Sequence, residues 1–394
     1  MRLLPDILQA RAANQPGDRA YVFLDDRGAE AEVLTYGELY SRAVGVAAFL
    51  RGRCEPGDRV ILMFPPGLDF VVAYFGCLYA HVVAVPVSPP RNDRIQHGTE
   101  NIIADCDPAI VLTGIDDVDC GATFDPEPCD AASVAFLQYT SGSTSAPKGV
   151  MVSHGNLAAN QEQIQRAMGH DEKSTFVGWA PLFHDQGLIG NVLQPMHLGA
   201  TSYLMSPGVF IRRPLLWLSA ISKYRAHSSG GPNFAFDACV AHAQRVDLPA
   251  LDLSSWRVAF NGAEPIRPDS LRRFAETFAP FGFDPNACTR ATAWRRQRCS
   301  SAVAAKVAAP DTSRPTTTSS AADASCRAGA GHLSGPEFPR PTSESSTRTP
   351  SCRRSRTGSA KFGWPDPKSH EVTGTGGIRM RSLTDTCTRV ISGW

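Results

Sequence analysis

LQYTSGSTSAPKGVMVSHGN, residues 137–156, is the stretch on which the reading of this chain turns. An apolar run from Val134 to Tyr139 enters it as a buried strand would, and Ser153 is placed to cap a following helix. Between them Thr140, Ser141, Gly142, Ser143, Thr144, Ser145, Ala146, Pro147 and Lys148 bring hydroxyls, small residues and one cation into a single loop. Such a loop can turn several backbone N–H groups and hydroxyls toward one anion, while the lysine adds a point charge. It is not a Walker A loop, because Pro147 precedes the lysine and Gly149 follows it. A Ser/Thr/Gly surface linker has the same composition, and composition alone leaves both readings open.

The remainder of the chain frames that loop. At 394 residues and 42% hydrophobic content it has room for one large domain or two ordinary ones. A net charge of +1 conceals a split. Residues 1–288 carry 22 Lys and Arg against 31 Asp and Glu, whereas residues 289–394 carry 17 against 7. Halves so different point to two origins or two physical states. No apolar run approaches the length of a membrane span, and Asp6 interrupts the N-terminus where a signal peptide needs its apolar core. The eleven cysteines are scattered, with no CxxC pair and no histidine cluster at metal spacing. These features predict a cytoplasmic protein with inert thiols and no metal ligands that can be assigned.

Upstream of the loop, helix-like and strand-like segments alternate. Leu3 to Ala13 reads as helix and Ala20 to Leu24 as strand. Thr35 and Glu38 match a capping box, with Leu39, Ala43, Ala47 and Leu50 following on one helical face. Val60 to Phe64, Val82 to Val87 and Ala109 to Leu112 read as strands, with helices over Phe70 to Ala80 and Asn101 to Asp105. Residues 115–132, with six Asp or Glu and two Cys, read as an exposed loop rather than a metal site. Downstream, Phe176 to Ala180, Thr201 to Met205 and Trp256 to Phe260 are strand-like, and Pro214 opens a helix to Tyr224. In HSSGGPN, residues 227–233, Gly230 and Gly231 would let backbone approach a ligand closely. Strands spaced by helices of this length predict an α/β fold with mostly parallel sheets and helices on both faces. Its ligands bind at strand ends.

LQYTSGSTSAPKGVMVSHGNL, PLFHDQGLIG, YRAHSSGGPNFAFDAC and LDLSSWRVAFNGAEPI together resemble the adenylate-forming superfamily, and within it the fatty acid–AMP ligase branch. The resemblance runs from near residue 1 to about Ala287 and implies the large, doubly wound N-terminal domain of that fold, here 1–287. It implies ATP-dependent activation of a long-chain fatty acid to an acyl-adenylate, with transfer to the thiol of an acyl carrier protein of a polyketide assembly line. Thr140, Ser141, Gly142, Ser143, Thr144 and Lys148 would then hold the β- and γ-phosphates, and His184 would sit by the carboxylate and the α-phosphate. Gly230, Gly231 and Asn233 would line the acyl substrate, while Asn261, Gly262, Ala263 and Glu264 would flank the adenine and Mg²⁺ would bridge phosphate oxygens. An acyl-CoA ligase of the same superfamily is the nearest rival, because the insertion that separates the two branches lies beyond residue 288. A non-catalytic nucleotide- or acyl-binding remnant is the other.

After Ala287 the resemblance stops. Where the family has a YGLAE segment, with a phosphate contact and a metal-ligating Glu, this chain reads CTRATAWRRQR from Cys288. Leu, Ile, Val and Phe make up about a tenth of residues 289–394, below the floor of roughly 20% for burying a core. The later ribose-gripping aspartate and the C-terminal lid domain with its lysine have no counterpart there. One shift of phase accounts for this. Taking the last base of each codon with the first two of the next, residues 291–302 can spell YGLAEATLFVS and residues 358–375 can spell VGEIWLAGPKVARGYW. Trp294 and Trp364 have a single codon each, which restricts the freedom of such matches. A frameshift near codon 288 is therefore expected, with residues 288–394 an aberrant, disordered tail. Its basic pairs, Arg295-Arg296 and Arg353-Arg354, lack interleaved aromatics, so nucleic acid is not the expected partner.

Overall fold

The computed structural model describes residues 2–90, 94–116, 118, 125–140, 147–246, 250–290 and 305–306. Helix α1 (Leu4–Asn14) precedes the antiparallel pair β1 (Arg19–Leu24) and β2 (Glu30–Thr35). Alternation then runs through α2 (Tyr36–Arg51), β3 (Arg59–Leu62), α3 (Asp69–Tyr79), β4 (Val83–Pro86), α4 (His97–Cys106) and β5 (Ile110–Leu112). The hairpin β6 (Val134–Thr140) and β7 (Lys148–Ser153) leads into α5 (His154–Met168). Next come β8 (Phe176–Gly178), a π-helix (Gln186–Leu193), α6 (Gln194–Leu198), β9 (Ser202–Met205), α7 (Pro207–Arg212) and α8 (Pro214–Lys223). The described chain ends with β10 (Ser228–Gly231), α9 (Asn233–Ala243), β11 (Val258–Asn261), α10 (Pro268–Phe278), β12 (Cys288–Arg290) and the two-residue β13 (Ala305–Lys306).

Two sheets form. The larger has the order β13-β12-β11-β10-β8-β9-β1-β2, and the smaller β5-β3-β4-β6-β7. Pairing is parallel between β1, β9, β8, β10, β11 and β12, and between β5, β3, β4 and β6. Among the described residues, antiparallel partners stand only at the rims: β2, β7 and β13. This is the parallel α/β architecture expected from the alternation of segments.

Strand alternation shows how the layers are filled, since successive side chains point to opposite faces. On β1, Tyr21 enters one apolar cluster and Val22 another. On β3, Val60 and Leu62 join Tyr21's cluster while Ile61, with Met63 just past the strand, joins a third. The shared cluster holds Leu39, Ala43, Ala47 and Leu50 of α2 and most of α3, so both sheets bury one face against these helices. The outer face of the larger sheet carries Trp217, Phe236 and Phe274 from α8, α9 and α10. Among the described residues no helix is long and apolar enough to cross a membrane.

Local chemistry sets the helix starts. Thr35 Oγ1 accepts from Glu38 N at 3.2 Å and Glu38 Oε2 accepts from Thr35 N at 2.9 Å, the capping box expected from the spacing. Ser153 Oγ likewise accepts from Asn156 N at 3.1 Å. The structure contains elements that the sequence pattern does not announce. Ser228–Gly231, for which no strand is expected from the sequence, is a buried strand inside the larger sheet. β2 and β7 went unread. The fold also continues past Ala287: β12 pairs with β11, Cys288 opposite Ala259 and Arg290 opposite Asn261. A parallel edge with open backbone groups accepts three more residues whatever their side chains. The expectation of a disordered tail otherwise lies outside the described residues.

Candidate functional site

The β6–β7 hairpin carries Lys148. Thr140 and Lys148 face each other at its end, so the strands deliver the lysine to where the loop begins and returns. Lys148 is exposed and, among the described residues, no carboxylate pairs with it. Ser141, Gly142, Ser143 and Thr144 lie outside the described residues, as does the side chain of Thr140. The hairpin is anchored at both faces. Tyr139 donates its hydroxyl to Asp105 Oδ2 at 2.5 Å, and Gln138 Nε2 donates to Phe183 O at 3.4 Å. The second contact ties the hairpin to the residue preceding His184.

His184 stands at the entry to the π-helix. Asp185 caps that helix, its Oδ1 accepting from Gln186 N at 2.7 Å. The same oxygen meets His184 Nδ1 at 2.5 Å. This hydrogen bond holds the imidazole above its ordinary pKa, against the opposing pull of burial. Burial pushes the Asp185 carboxyl up, but the His184 contact, its charge and the Gln186 N–H together bring it below the usual range. The ring is half exposed, and Nε2 has no partner among the described residues. Gly187 sits where any side chain would collide with the Pro181 carbonyl, so the π-helix turns tightly over the loop that bears His184. Long π-helical runs are rare and cluster at functional sites.

Gly230 and Gly231 end β10, next to β11. A methyl group on Gly230 would collide with the Phe260 carbonyl, and one on Gly231 would lie 2.6 Å from Trp179 Cζ2. Close packing of strands and indole demands glycine here. Asn233 is fully buried, with Nδ2 donating to Pro265 O at 2.9 Å. Its Oδ1 accepts from Asn261 Nδ2 at 3.0 Å and from Arg267 N at 2.9 Å. Asn261 is buried too, whereas Ala263 and Glu264 lie on the outer part of the loop, with Ala263 at φ +68°.

Because β8, β10 and β11 are parallel neighbours, the loops bearing His184, Gly231 and Asn261 to Glu264 leave the same edge of one sheet. Gln138 brings the hairpin to that edge. Beside it, an apolar cavity lined by Phe64, Phe70, Val87, Leu182, Phe183 and Met205 offers hydrocarbon and no charge. A cation, a carboxylate-held imidazole and strand-end backbone are what an anionic, partly apolar ligand requires.

Residues 8–284 match the family described as AMP-binding enzyme. The chain belongs to the AMP-binding enzyme family. It is 38% identical over 310 residues to a medium-chain-fatty-acid–[acyl-carrier-protein] ligase of Moorena producens, covering 71% of this chain and 52% of that one. A ligase of the same description from Teredinibacter turnerae is 31% identical over 335 residues, with 69% and 52% covered. Among solved structures, the fatty acyl-adenylate ligase from L. pneumophila, in complex with acyl adenylate and pyrophosphate, has 38% identity and a TM-score of 0.70. It covers 74% of this chain and 55% of its own. This AMP-binding family member thus spans about half the length of the curated relatives it matches.

The family uses ATP with Mg²⁺. Among the described residues no three His, Cys, Asp or Glu side chains gather so as to hold a metal ion. The described part therefore does not fit Mg²⁺ with a protein cage, and no residue is assigned to it. Two site residues escaped the sequence reading. Asp185 could have been found as the acid adjoining His184, whereas Gln138 had no local sign, since its partner is 45 positions away.

Proposed function

We propose that the described part of this chain is the ATP- and acyl-binding portion of a fatty acid–AMP ligase that hands its product to a carrier-protein thiol. What carries the reading is the Gln138 link between the Lys148 hairpin and the His184 loop, at the strand edge where the Asn261 to Glu264 loop also emerges. A fatty carboxylate oxygen attacks the α-phosphorus of ATP, and the bond to the β-phosphate oxygen breaks to release pyrophosphate. A thiolate then attacks the acyl carbon and AMP leaves. No side chain need be consumed, so catalysis is positioning plus electrostatic stabilisation. Lys148 and the hydroxyls of residues 140–144 meet the outer phosphates. His184, held at Nδ1 by Asp185, presents Nε2–H to the carboxylate and the α-phosphate, and the 261–264 loop flanks the base.

Residues 289–394 are proposed to be an out-of-frame product, so that the segment with the family's metal-ligating Glu is replaced by one that begins Thr289-Arg290-Ala291. Removing one electrostatic contact to developing charge commonly costs roughly 10²–10³ in rate. The 394-residue chain is accordingly expected to bind ATP weakly without turning over. Fatty-acid-dependent exchange of labelled pyrophosphate into ATP tests this, with a frame-restored chain as the positive control. Exchange by the restored chain alone, reduced by Lys148→Ala, is the expected result. Clear exchange by the 394-residue chain overturns the proposal for the tail. Its absence from the restored chain overturns the proposal for the reaction.

A further inference from the structure

We infer that Asn233 is a positioning residue for the nucleotide: its buried amide clamps both ends of the 261–267 loop and so fixes the surface offered to the adenine. The inference rests on the function proposed above and assigns Asn233 a different part in it from that of an acyl contact.

The orientation of the amide is dictated by backbone. Arg267 N can only donate, so the Asn233 atom it meets at 2.9 Å is Oδ1. Pro265 O can only accept, so the atom 2.9 Å from it is Nδ2. With Oδ1 thus placed, Asn261 has to turn its own Nδ2 inward, which it does at 3.0 Å. One side chain at the first turn of α9 therefore holds the last residue of β11, the middle of the loop and the residue before α10. All of this happens where neither asparagine is exposed.

Strain inside the loop agrees with a clamp. Ala263 occupies the left-handed region at φ +68°, while Gly262 beside it does not. A non-glycine residue persists there only where its surroundings over-determine the backbone, and such strain gathers at ligand clamps. Ala263 is exposed, so no packing of its own side chain holds it. The restraint comes from Asn261 behind it and Pro265 and Arg267 ahead, and Asn233 touches all three.

The 394-residue chain is titrated with ATP and, separately, with inorganic tripolyphosphate, a probe for the Lys148 end of the site alone. Amide exchange is followed at Gly262, Ala263, Glu264, Ile266 and Arg267. Asn233→Ala is expected to speed exchange at these amides and weaken ATP about tenfold, with tripolyphosphate unchanged. Asn233→Asp separates positioning from general damage. Its protonated carboxyl again offers one donor and one acceptor, so its ATP affinity should recover toward wild type as the pH falls, while that of Asn233→Ala does not. Unaltered exchange in Asn233→Ala overturns the clamp. Faster exchange with unchanged ATP affinity overturns the positioning role. Wild-type chain that binds tripolyphosphate but no ATP overturns the nucleotide reading and the positioning role with it, and the exchange data then still decide the clamp.

Discussion

Asp185 and His184 stabilise each other's charged forms, and the consequence is open to direct measurement. A histidine whose folded pKa is raised contributes stability that is complete below its ordinary value of 6.5 and is lost as pH rises through the folded value. Asp185, held low, contributes above its ordinary 3.8. Asp185→Asn should therefore destabilise most near pH 5.5 and least above pH 8, and should lower the His184 titration midpoint seen in its imidazole proton shifts. A midpoint that does not move would remove Asp185 from the account. At Ala263 the expectation is opposite in sign. Glycine relieves the left-handed strain but adds unfolded-state freedom, so Ala263→Gly should gain roughly 0.5–1 kcal/mol in urea unfolding. Residues whose partners are close in sequence, such as Thr35 with Glu38, were legible from spacing. His184 was singled out by resemblance alone. The steric demand at Gly230 has no local sign, because the atom that forbids a side chain there belongs to Phe260.

Elements were legible where a period was strong and hidden where packing chose the residues. The β10 strand reads SSGG, with none of the branched residues that mark a strand. Its smallness is explained by what surrounds it. Trp217 Nε1 donates to Ser229 Oγ at 2.7 Å, Ser229 Oγ donates to Val177 O at 2.6 Å, and Trp179 lies over Gly231. Three large side chains, Trp179, Trp217 and Trp256, take the room that strand residues would otherwise fill. Gly230→Ala should accordingly destabilise by about 3 kcal/mol, whereas Gly190→Ala in the π-helix, with open space around it, should be near neutral. Equal effects in thermal melts would contradict this account. The π-helix itself left no mark in the sequence, since QGLIGNVL serves an α-helix equally well. The edge strand β7 was hidden by exposure: Val150 and Met151, on opposite faces, are both open to solvent, so no buried/exposed alternation marks the strand.

At the scale of the molecule, buried histidines set the response to acid. Burial, then the charge of His81, drives His154 down to about 4, with Asp130 and Asp6 opposing. Burial, then His227, drives His170 down to about 3, with Asp171 opposing. These rings are neutral in the folded chain, whereas the unfolded chain takes up protons near 6.5. Stability is then full above that value and falls as pH drops below it, by up to about 1.4 kcal/mol per pH unit for each ring. Urea midpoints should decline from pH 7 to pH 5, and His170→Leu should flatten the decline. The charge split at residue 288 was visible in composition alone, and one gene sequence checks its proposed cause. A base gained or lost near codon 288 should restore a family-like reading through the codon for Trp364, and stops or unrelated sequence across codons 291–302 would dismiss the idea.

The larger sheet also has a timetable. β1 and β2 can pair as soon as they emerge from the ribosome, but β1's other neighbour is β9, and Thr201 Oγ1 reaches Arg19 O across 182 positions of chain. At roughly 5–20 residues per second, the open edge of β1 waits on the order of 10 to 40 s for its partner. The strands of the smaller sheet, the last of which ends at Ser153, are all synthesised before β9 begins. The yield of folded protein should thus follow the pace of elongation between codons 153 and 205, and holding factors that shield the nascent β1–β2 pair should matter more to it than the stability of the finished sheet.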